Sequence, residues 1–500
     1  MRGVDRQVVV LLCILVVSAV IRLPRITMPL FEGAPVKQVE VAMVARNFYE
    51  HGYRFHLPQW DIFGDAPGIV VQEFPICAFS VAIIYGLLGG VYEVVGRLLS
   101  VGCFLVAIAF LYRLVGRYYG NRTAAAAALV MGILPLGIIY SRAFQSESLT
   151  LMFGVMSLYY FDRWIDREGW RDYLMALLSI SLCLLTKIYN YYYVLPLLYL
   201  AWWRFGRRAL RDLRFWAFFG VLITAVGLWY GYAYVTNQSS VPYLTSYWNY
   251  FNRANLVSTE FYKRVFDLVT GVVLTPLGFT LFVLGSLLSV KMSREWVFHI
   301  WLGGGLLFLF TLSSAIDTHD YYYFSLLPVA SVFISRSVTL IYEGIGQRRW
   351  APLMVASAIV VIIATIGRYL PRAYAAPADS RSILAAAREV KRQSRPGDLV
   401  ITSSWAAGVL QYYSHRRGWS MYLDSRGSYW TRMMEERMPS FYKDLHDPIA
   451  LVENHRRKGA RLFVTTEMAK LESEGNFVAH MKKHYRLTVK TDGYVIFDLR

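Results

Sequence analysis

The sequence predicts a polytopic α-helical membrane protein that ends in a small α/β domain. Hydrophobic residues make up 56% of the 500 residues, whereas roughly 45–50% is ordinary for a soluble protein. They are gathered in runs that carry almost no charge, and about 18 such residues can cross a hydrocarbon core of about 30 Å. After residue 376 these runs stop, and short helical and strand patterns alternate instead.

Eleven apolar runs are candidate membrane spans. The first resembles a signal peptide, but it has no small-residue cleavage site and similar runs follow it, so we interpret it as a retained span. A further apolar stretch, Pro75–Gly90, is short for a span and harder to place. The candidate spans are 7–24, 97–113, 123–140, 147–162, 170–186, 188–203, 214–236, 264–290, 296–313, 322–340 and 351–371.

The formal charge of +18 comes from basic clusters at the ends of the apolar runs. This placement is typical of cytoplasmic loops under the positive-inside rule and argues against a nucleic-acid-binding protein. With the N-terminus inside, every cluster is cytoplasmic only if Pro75–Gly90 does not cross, so we predict an interfacial or re-entrant helix there. About eleven spans then leave the C-terminal domain outside. The clusters are 113–122, 163–171, 204–214, 291–294 and 348–349.

The predicted division is a membrane domain over 1–375, with a first external loop over 24–96, and a soluble domain over 376–500. In the soluble domain, residues 382–393 and 477–484 have helical patterns, and another helix is predicted to end near residue 415. Strands are predicted at 399–402, 461–465 and 494–498. The domain has no Gly-rich phosphate motif and no nucleophile elbow, which favours a positioning role. Its basic segment His415–Trp419 is either a solvated helix end or a contact for an acidic or sugar acceptor.

Most residues with chemical potential fall in the predicted external parts of the chain. Acids at the mouth of a span are costly unless they are paired or functional. Structural pairs of Arg142 with Glu147, or of Arg97 with Glu73, are one interpretation; a pocket of carboxylates and cations is the other. The acids are Glu32, Glu40, Glu73 and Glu147, and the cations are Lys37, Arg46, Arg97, Arg142 and Lys187.

The order and spacing of several external motifs carry a family resemblance. They are Gln38–Tyr49 followed by Gly52, then Glu73–Pro75, Gly96–Arg97 and Tyr140–Glu147. Together they resemble the GT-C glycosyltransferases, and most closely the aminoarabinose transferase and protein O-mannosyltransferase-like groups. The resemblance covers residues 22–193. It implies a GT-C fold of about eleven or more spans with an extracytoplasmic α/β domain.

The resemblance also implies an activity. Such enzymes of the bacterial or archaeal cytoplasmic (inner) membrane pass a sugar from a polyprenyl phosphate to an acceptor outside, with inversion at the anomeric carbon. The acceptor is a glycan, a lipid or a protein. The leaving phosphate needs cations, for which the five external Lys and Arg residues are candidates, and the acceptor hydroxyl needs a carboxylate base.

The chain departs from the aminoarabinose transferase pattern at three positions. Where that group has an Asp-Glu pair, this chain has Lys37 and Gln38, and where it has a phosphate-binding lysine, this chain has Phe74. Glu73 and Glu147 carry over. The order of preference for the base is therefore Glu40, Glu73, Glu147 and Glu32, and a non-catalytic partner subunit is an alternative.

No motif identifies a cofactor. Asp317, His319 and Asp320 at the last external turn are candidates to bind the acceptor or a divalent metal, although their spacing is not a recognised ligand set. A transporter or lipid flippase is the remaining alternative. It is disfavoured because the middle spans hold few ionisable residues and the chain shows no internal repeat.

Overall fold

The structure is a computed structural model. It describes residues 6–238, 251–288, 293–344, 374–423 and 447–500, with isolated positions between 353 and 371. Contacts divide the chain into two compact units. The helical unit comprises Met1–Met28, Tyr92–Tyr232 and Tyr247–Ala375, and the sheet unit comprises Pro29–Val91, Ala233–Ser246 and Ala376–Arg500.

The first-loop residues thus share a unit with the C-terminal domain, and the division at residue 375 stays a prediction. Up to residue 344 the described α-helices are α1 Arg6–Val20, α2 Pro35–His51, α3 Ile76–Leu88, α4 Glu93–Ile133, α5 Pro135–Ser141, α6 Glu147–Arg167, α7 Trp170–Thr186, α8 Val194–Phe205, α9 Leu213–Gln238, α10 Arg253–Leu256, α11 Thr259–Leu268, α12 Pro276–Leu287, α13 Val297–Thr311, α14 Ala315–Thr318 and α15 Leu327–Gly344. Tighter helical turns cover Ile188–Tyr193, Gly206–Arg211, Arg294–Trp296 and Asp320–Leu326, and a π-helix covers Val269–Val273.

Three of the described helical segments are long and apolar enough to cross a membrane by length and composition. They are Glu93–Ile133, Leu213–Asn237 and Asp320–Gly344, and a bent helix pair is a fourth candidate. Of the shorter apolar helices, α3 has 13 residues and a length of about 20 Å. The count of about eleven spans and the interfacial placement of Pro75–Gly90 therefore stay predictions, and the span predicted at 351–371 lies largely outside the described residues.

The span predicted at 264–290 is not one continuous helix. Thr259–Val273 and Pro276–Leu287 meet at an angle of 103°. Pro276 has no backbone N–H to continue a helix, and Thr275 before it has a φ of +66°. At 97–140 the prediction of two helical segments agrees with a break in α4, where Gly120 has a φ of +77°.

Opposite ends of α6 carry two separate clusters of polar side chains. At its C-terminal end the buried Asp162 accepts hydrogen bonds from Arg117, Arg294 and Tyr118. Two of the basic clusters that the sequence predicts on one side of the membrane therefore meet there, through Arg117 and Arg294. Glu147 starts the same helix, so about 22 Å of helix separates it from Asp162. The turn before α6 and these basic clusters thus lie at opposite ends of that helix, and their sides of the membrane stay a prediction.

The sheet unit contains a five-stranded sheet with the order β2-β1-β3-β5-β4. Strand β1 pairs in parallel with β2 and β3, whereas β5 pairs antiparallel with β3 and β4. The three predicted strands and the three predicted helices are present; β2, β4, α18 and α19 were not predicted. The elements are α16 Ser380–Gln393, β1 Leu399–Ser403, α17 Val409–Ser414, β2 Gly418–Ser420, α18 Pro448–Arg457, β3 Ala460–Thr465, α19 Met468–Ser473, α20 Gly475–His484, β4 Arg486–Lys490 and β5 Val495–Asp498.

Part of the first loop covers the outer edge of β2. The amide of Gly64 donates to the Gly418 carbonyl at 2.7 Å, and the Gly418 amide donates to the Asp61 carbonyl at 2.9 Å. Gly64 has a φ of +59°, and a Cβ atom there would lie 1.9 Å from the Trp419 ring. The exposed strand edge is thereby paired by the chain itself, which protects it from other partners.

Candidate active site

The helical unit buries an ion pair at the N-terminus of α6. Glu147 is the first residue of that helix, where the helix dipole favours a negative charge. Lys187 follows the last residue of α7 in an extended conformation. Its Nζ donates to Glu147 Oε1, and the residues are 4% and 8% exposed. Glu147 Oε2 has no hydrogen-bond partner among the described residues.

Aromatic side chains surround the Lys187 ammonium. Its Nζ lies 5.4 Å from the centre of the Tyr189 ring and 5.9 Å from that of Tyr321. Both distances are within the range of cation–π attraction. The pair borders a small cavity of about 30 Å³ whose other walls are largely aromatic. An ammonium in such a place is stabilised by Glu147 and by the rings, and it lies at the wall of the cavity.

The last predicted external turn also contributes to this end of the helical unit. Tyr140 Oη donates to Asp320 Oδ1. The ring of His319 stacks on Tyr321 with centroids 5.3 Å apart. The side chain of Asp317 lies outside the described residues. Where side chains are described, no three of His, Cys, Asp or Glu come together as a metal site.

The two predicted arginine cations of the helical unit are fully buried. The Arg142 guanidinium lies 4.3 Å from the centre of the Tyr374 ring, and its Nη2 donates to the Pro24 carbonyl at 2.8 Å. Arg97 has no exposed surface. Glu147 bonds to Lys187, and the predicted alternative of an Arg142–Glu147 pair stays a prediction.

Arg22 was not predicted, and it is buried beside these groups. It donates to the Ser141 hydroxyl and to the carbonyls of Ser18 and Gly132, at 2.7 Å and 2.9 Å for the carbonyls. Those carbonyls end α1 and α4, where a cation is favourable. Arg22 therefore ties two helix ends together, and a lone arginine at the end of an apolar run was the signal for it.

The sheet unit holds the other predicted acids. Lys37 and Glu40 form an ion pair on α2, in which Nζ lies 2.8 Å from Oε2. Their side chains are 38% and 19% exposed. Glu32 is buried and its carbonyl accepts a bond from Gln38. Glu73 lies half-buried in the loop before α3. The Glu40 side chain pairs with Lys37 and keeps some exposed surface that an acceptor can reach.

Arg46 makes a different kind of contact from the one expected of a phosphate-binding residue. It is 3% exposed and bonds to the carboxylate of Asp61. It also donates to the Tyr412 carbonyl at 2.8 Å and lies 4.7 Å from the Tyr412 ring centre. Asn47 completes the set by donating to Asp61 Oδ1 at 3.1 Å. Arg46 therefore joins α2 to α17 inside the sheet unit.

Comparison with known proteins shows what the chain is similar to. Residues 72–230 match the family model described as dolichyl-phosphate-mannose-protein mannosyltransferase. No curated protein matches the sequence. Among solved structures, ArnT from Cupriavidus metallidurans bound to undecaprenyl phosphate superposes with a TM-score of 0.65 at 11% identity, covering 100% of this chain and 99% of that one. The chain has a GT-C glycosyltransferase fold.

Two further GT-C structures agree. The oligosaccharyltransferase AglB from Archaeoglobus fulgidus, in complex with an inhibitory peptide and a dolichol-phosphate, gives a TM-score of 0.58 at 13% identity over 98% of this chain and 74% of that one. The arabinofuranosyltransferase AftD from Mycobacteria gives 0.55 at 14% identity over 99% and 42%. The GT-C resemblance expected from the external motifs is confirmed, and the matched segment contains Glu147 and Lys187.

Proposed function

We propose that the protein is a glycosyltransferase of the cytoplasmic membrane that moves a sugar from a polyprenyl phosphate to an acceptor hydroxyl on the outer face. The observation that carries this proposal is the buried Lys187–Glu147 pair. It borders an aromatic cavity at the end of the helical unit formed by the predicted external turns. It also falls inside the segment that matches a lipid-linked mannosyltransferase family model.

Lys187 is the proposed cation for the donor phosphate. An ammonium has three N–H donors, so it can hold Glu147 and a phosphate oxygen together. When the bond between the anomeric carbon and the phosphate oxygen breaks, negative charge grows on that oxygen. A cation fixed in a buried site stabilises this charge more strongly than one in water. Glu147 accepts a hydrogen bond from Lys187 and orients it, which makes Glu147 a positioning residue.

The surroundings of Lys187 suit the rest of such a donor. Tyr189 and Tyr321 offer ring faces on which the apolar side of a sugar can stack. An apolar groove begins at Leu184 and Val194, on either side of the segment that holds Lys187, and runs along α9. A polyprenyl chain needs an apolar surface of this kind, and we assign the groove to it.

Inversion separates the base from the phosphate site. The acceptor oxygen must attack the face of the anomeric carbon opposite the leaving phosphate. Because Glu147 holds the leaving-group cation, it is on the wrong side to accept the acceptor's proton. We therefore assign the base to the first loop, with Glu40 preferred over Glu73 and Glu32. The proton of the acceptor hydroxyl passes to that carboxylate, its oxygen bonds to the anomeric carbon, and polyprenyl phosphate leaves.

The assignment is tested by sugar transfer with the purified full chain in nanodiscs. A panel of polyprenyl-phosphate sugars is the donor, and release of polyprenyl phosphate is the measurement. Glu40→Gln and Glu147→Gln should each lower turnover by about 10²-fold or more. Asp162→Asn, at the far end of α6, is the matched buried-acid control and should retain turnover when compared per folded molecule.

Each contrary outcome has a meaning. Full activity in Glu40→Gln, Glu73→Gln and Glu147→Gln would overturn the site assignment. Movement of a lipid-linked sugar across vesicles without turnover would favour the transporter or flippase. If the purified wild-type chain did not bind the donor, a non-catalytic partner subunit would be favoured.

A further inference from the structure

The sheet unit has a cavity that the proposed chemistry does not use. It lies where the C-terminal end of α2 meets the loop that follows it and the first residues of β2. His51 and Arg54 line one side and Arg417 lines the other. The space measures about 380 Å³, which is large enough for one or two sugar rings.

The charge of this cavity is one-sided. Two arginines and a histidine line it, and none of its lining residues is acidic. The side chains of His51 and Arg54 make no hydrogen bond or ion pair within the described part of the chain. Arg417 donates to the Ala66 carbonyl, which holds its fork in place without neutralising it. Like charges that converge on one space without a counter-ion favour an anion there.

The remaining lining suits a carbohydrate. Asn47 and Gln59 supply side-chain amides, and Phe48 and Leu57 supply apolar surface. Sugars offer hydroxyls to the first kind of group and C–H faces to the second. The Gln59 amide has no hydrogen-bond partner among the described residues, so it is available to a ligand.

The wall beneath the cavity is held in place before any ligand arrives. Asn47 donates to the Gln59 carbonyl at 2.9 Å and to Asp61 Oδ1 at 3.1 Å. The Asp61 carboxylate in turn pairs with Arg46, which also donates a hydrogen bond to a backbone carbonyl of α17. A site whose groups are fixed in the free protein loses less entropy on binding.

We propose that this cavity binds an anionic saccharide, one that carries a carboxylate or a phosphate, and that this saccharide is the acceptor of the transfer. The acceptor role rests on the proposed function, whereas the binding site itself does not. The basic segment around Arg417, which the sequence leaves open between a solvated helix end and an acceptor contact, gains a role from its juxtaposition with Arg54 and His51.

The test is calorimetric titration of the full chain in phosphatidylcholine nanodiscs with four probes. These are a glucuronic-acid-bearing disaccharide, the same disaccharide without the carboxylate, a disaccharide phosphate and inorganic phosphate. We expect the two anionic disaccharides to bind at least about tenfold more tightly than the neutral one. The difference should shrink as salt is raised, since exposed charges are screened.

Variants locate the site. Arg54→Gln combined with Arg417→Gln should weaken binding of the anionic disaccharides by about tenfold or more, and Arg54→Lys should retain most of it. Arg388→Gln removes an exposed arginine of α16 that does not line the cavity, and it should change nothing. Hydrogen–deuterium exchange of β1 confirms that each variant is folded.

The outcomes separate this proposal from the proposed function. Equal binding of neutral and anionic disaccharides, or unchanged binding in the double variant, would overturn the anionic site. If inorganic phosphate bound as tightly as the disaccharides, the cavity would be an anion site and the proposal that it binds a saccharide would be wrong. Selective binding that depends on Arg54 and Arg417, in a chain that transfers no sugar from any donor, would contradict the proposed glycosyltransferase activity and support the binding site.

Discussion

Two buried ion pairs, one in each unit, look alike until their surroundings are compared. Lys187 and Glu147 have side chains that are 5% and 8% exposed, and Arg46 and Asp61 have side chains that are 4% and 8% exposed. Arg46 and Asp61 are also bonded to Tyr412 and Asn47, and they close a gap between two helices. Lys187 and Glu147 instead face a cavity, and one carboxylate oxygen has no partner among the described residues.

The comparison teaches that burial alone does not distinguish a structural pair from a functional one. A pair that holds helices together has its polar atoms satisfied by the protein, since an unsatisfied buried group costs stability. A pair that borders a cavity can still be reached by a ligand. Arg46 therefore leaves the set of donor cations, and Lys187, which lines a cavity, becomes its first member.

The largest effect should come from Arg46→Met. This change leaves the Asp61 carboxylate buried without its cation, which costs about 3–5 kcal/mol of the free energy of unfolding. Amides of α2 and β1 should lose protection in hydrogen–deuterium exchange. Adding Asp61→Asn should recover part of the loss, because the stranded charge is gone. A variant that keeps its protection and loses sugar transfer would return Arg46 to the phosphate site.

Lys187→Met should do the reverse. Removing the cation should lower sugar transfer about 10²–10³-fold, as loss of one preorganised charge-stabilising donor does. Protection of the sheet unit should be unchanged. Glu147→Gln combined with Lys187→Met should be no slower than Lys187→Met alone, because the two residues act as one group. The control is Lys391→Met, an exposed lysine of α16; a loss of activity there equal to that of Lys187→Met would contradict the assignment.

These contrasts mark how far the sequence could go. Glu147 and Lys187 are each predictable, because a charge at the mouth of an apolar run is conspicuous. Their pairing is not, since 40 positions separate them and the nearer Arg142 is the obvious partner. Arg46 has the right type and position for a phosphate ligand, and only the fold brings it to Asp61 and Tyr412.

The same division holds for the fold. Strands β1, β3 and β5 are dense apolar runs, so their positions follow from pattern. Strand β4 was missed because its residues are mostly half-exposed and polar, and β2 because it has only three residues. The pairing of the first loop with β2 joins residues more than 350 positions apart, which no local pattern encodes.

Gly64→Ala tests whether the Arg46 pair depends on that pairing. A Cβ atom would meet the Trp419 ring, and the positive φ disfavours alanine. We expect a loss of about 2 kcal/mol, in the range of overpacking and backbone strain. The loss should be less than additive with Arg46→Met if both changes release the first loop from the sheet. Full additivity, measured by urea unfolding of the two single variants and the double variant, would make the two contacts independent.

The smallest effect should be an acid sensitivity confined to the sheet unit. The His455 ring stacks on Trp419 with centroids 4.4 Å apart, and burial, assisted by the nearby Lys458 charge, lowers its pKa to about 4. The folded state therefore favours the neutral ring, and the unfolded chain binds more protons below the ordinary pKa of about 6.5. This contribution is fully present above about pH 6.5 and is lost as the pH falls towards 4.

Between pH 7 and pH 5 we expect His455 to account for about 1 kcal/mol of lost stability, after allowance for its partial exposure. His455→Phe keeps a ring against Trp419 and should remove that part of the pH dependence, whereas His484→Phe at the exposed end of α20 should not. Exchange protection of β1 and β3 at the two pH values measures it. If His455→Phe left the pH dependence intact, the stack on Trp419 would not be its source, and His415, whose pKa burial also lowers to about 4, would be the remaining candidate.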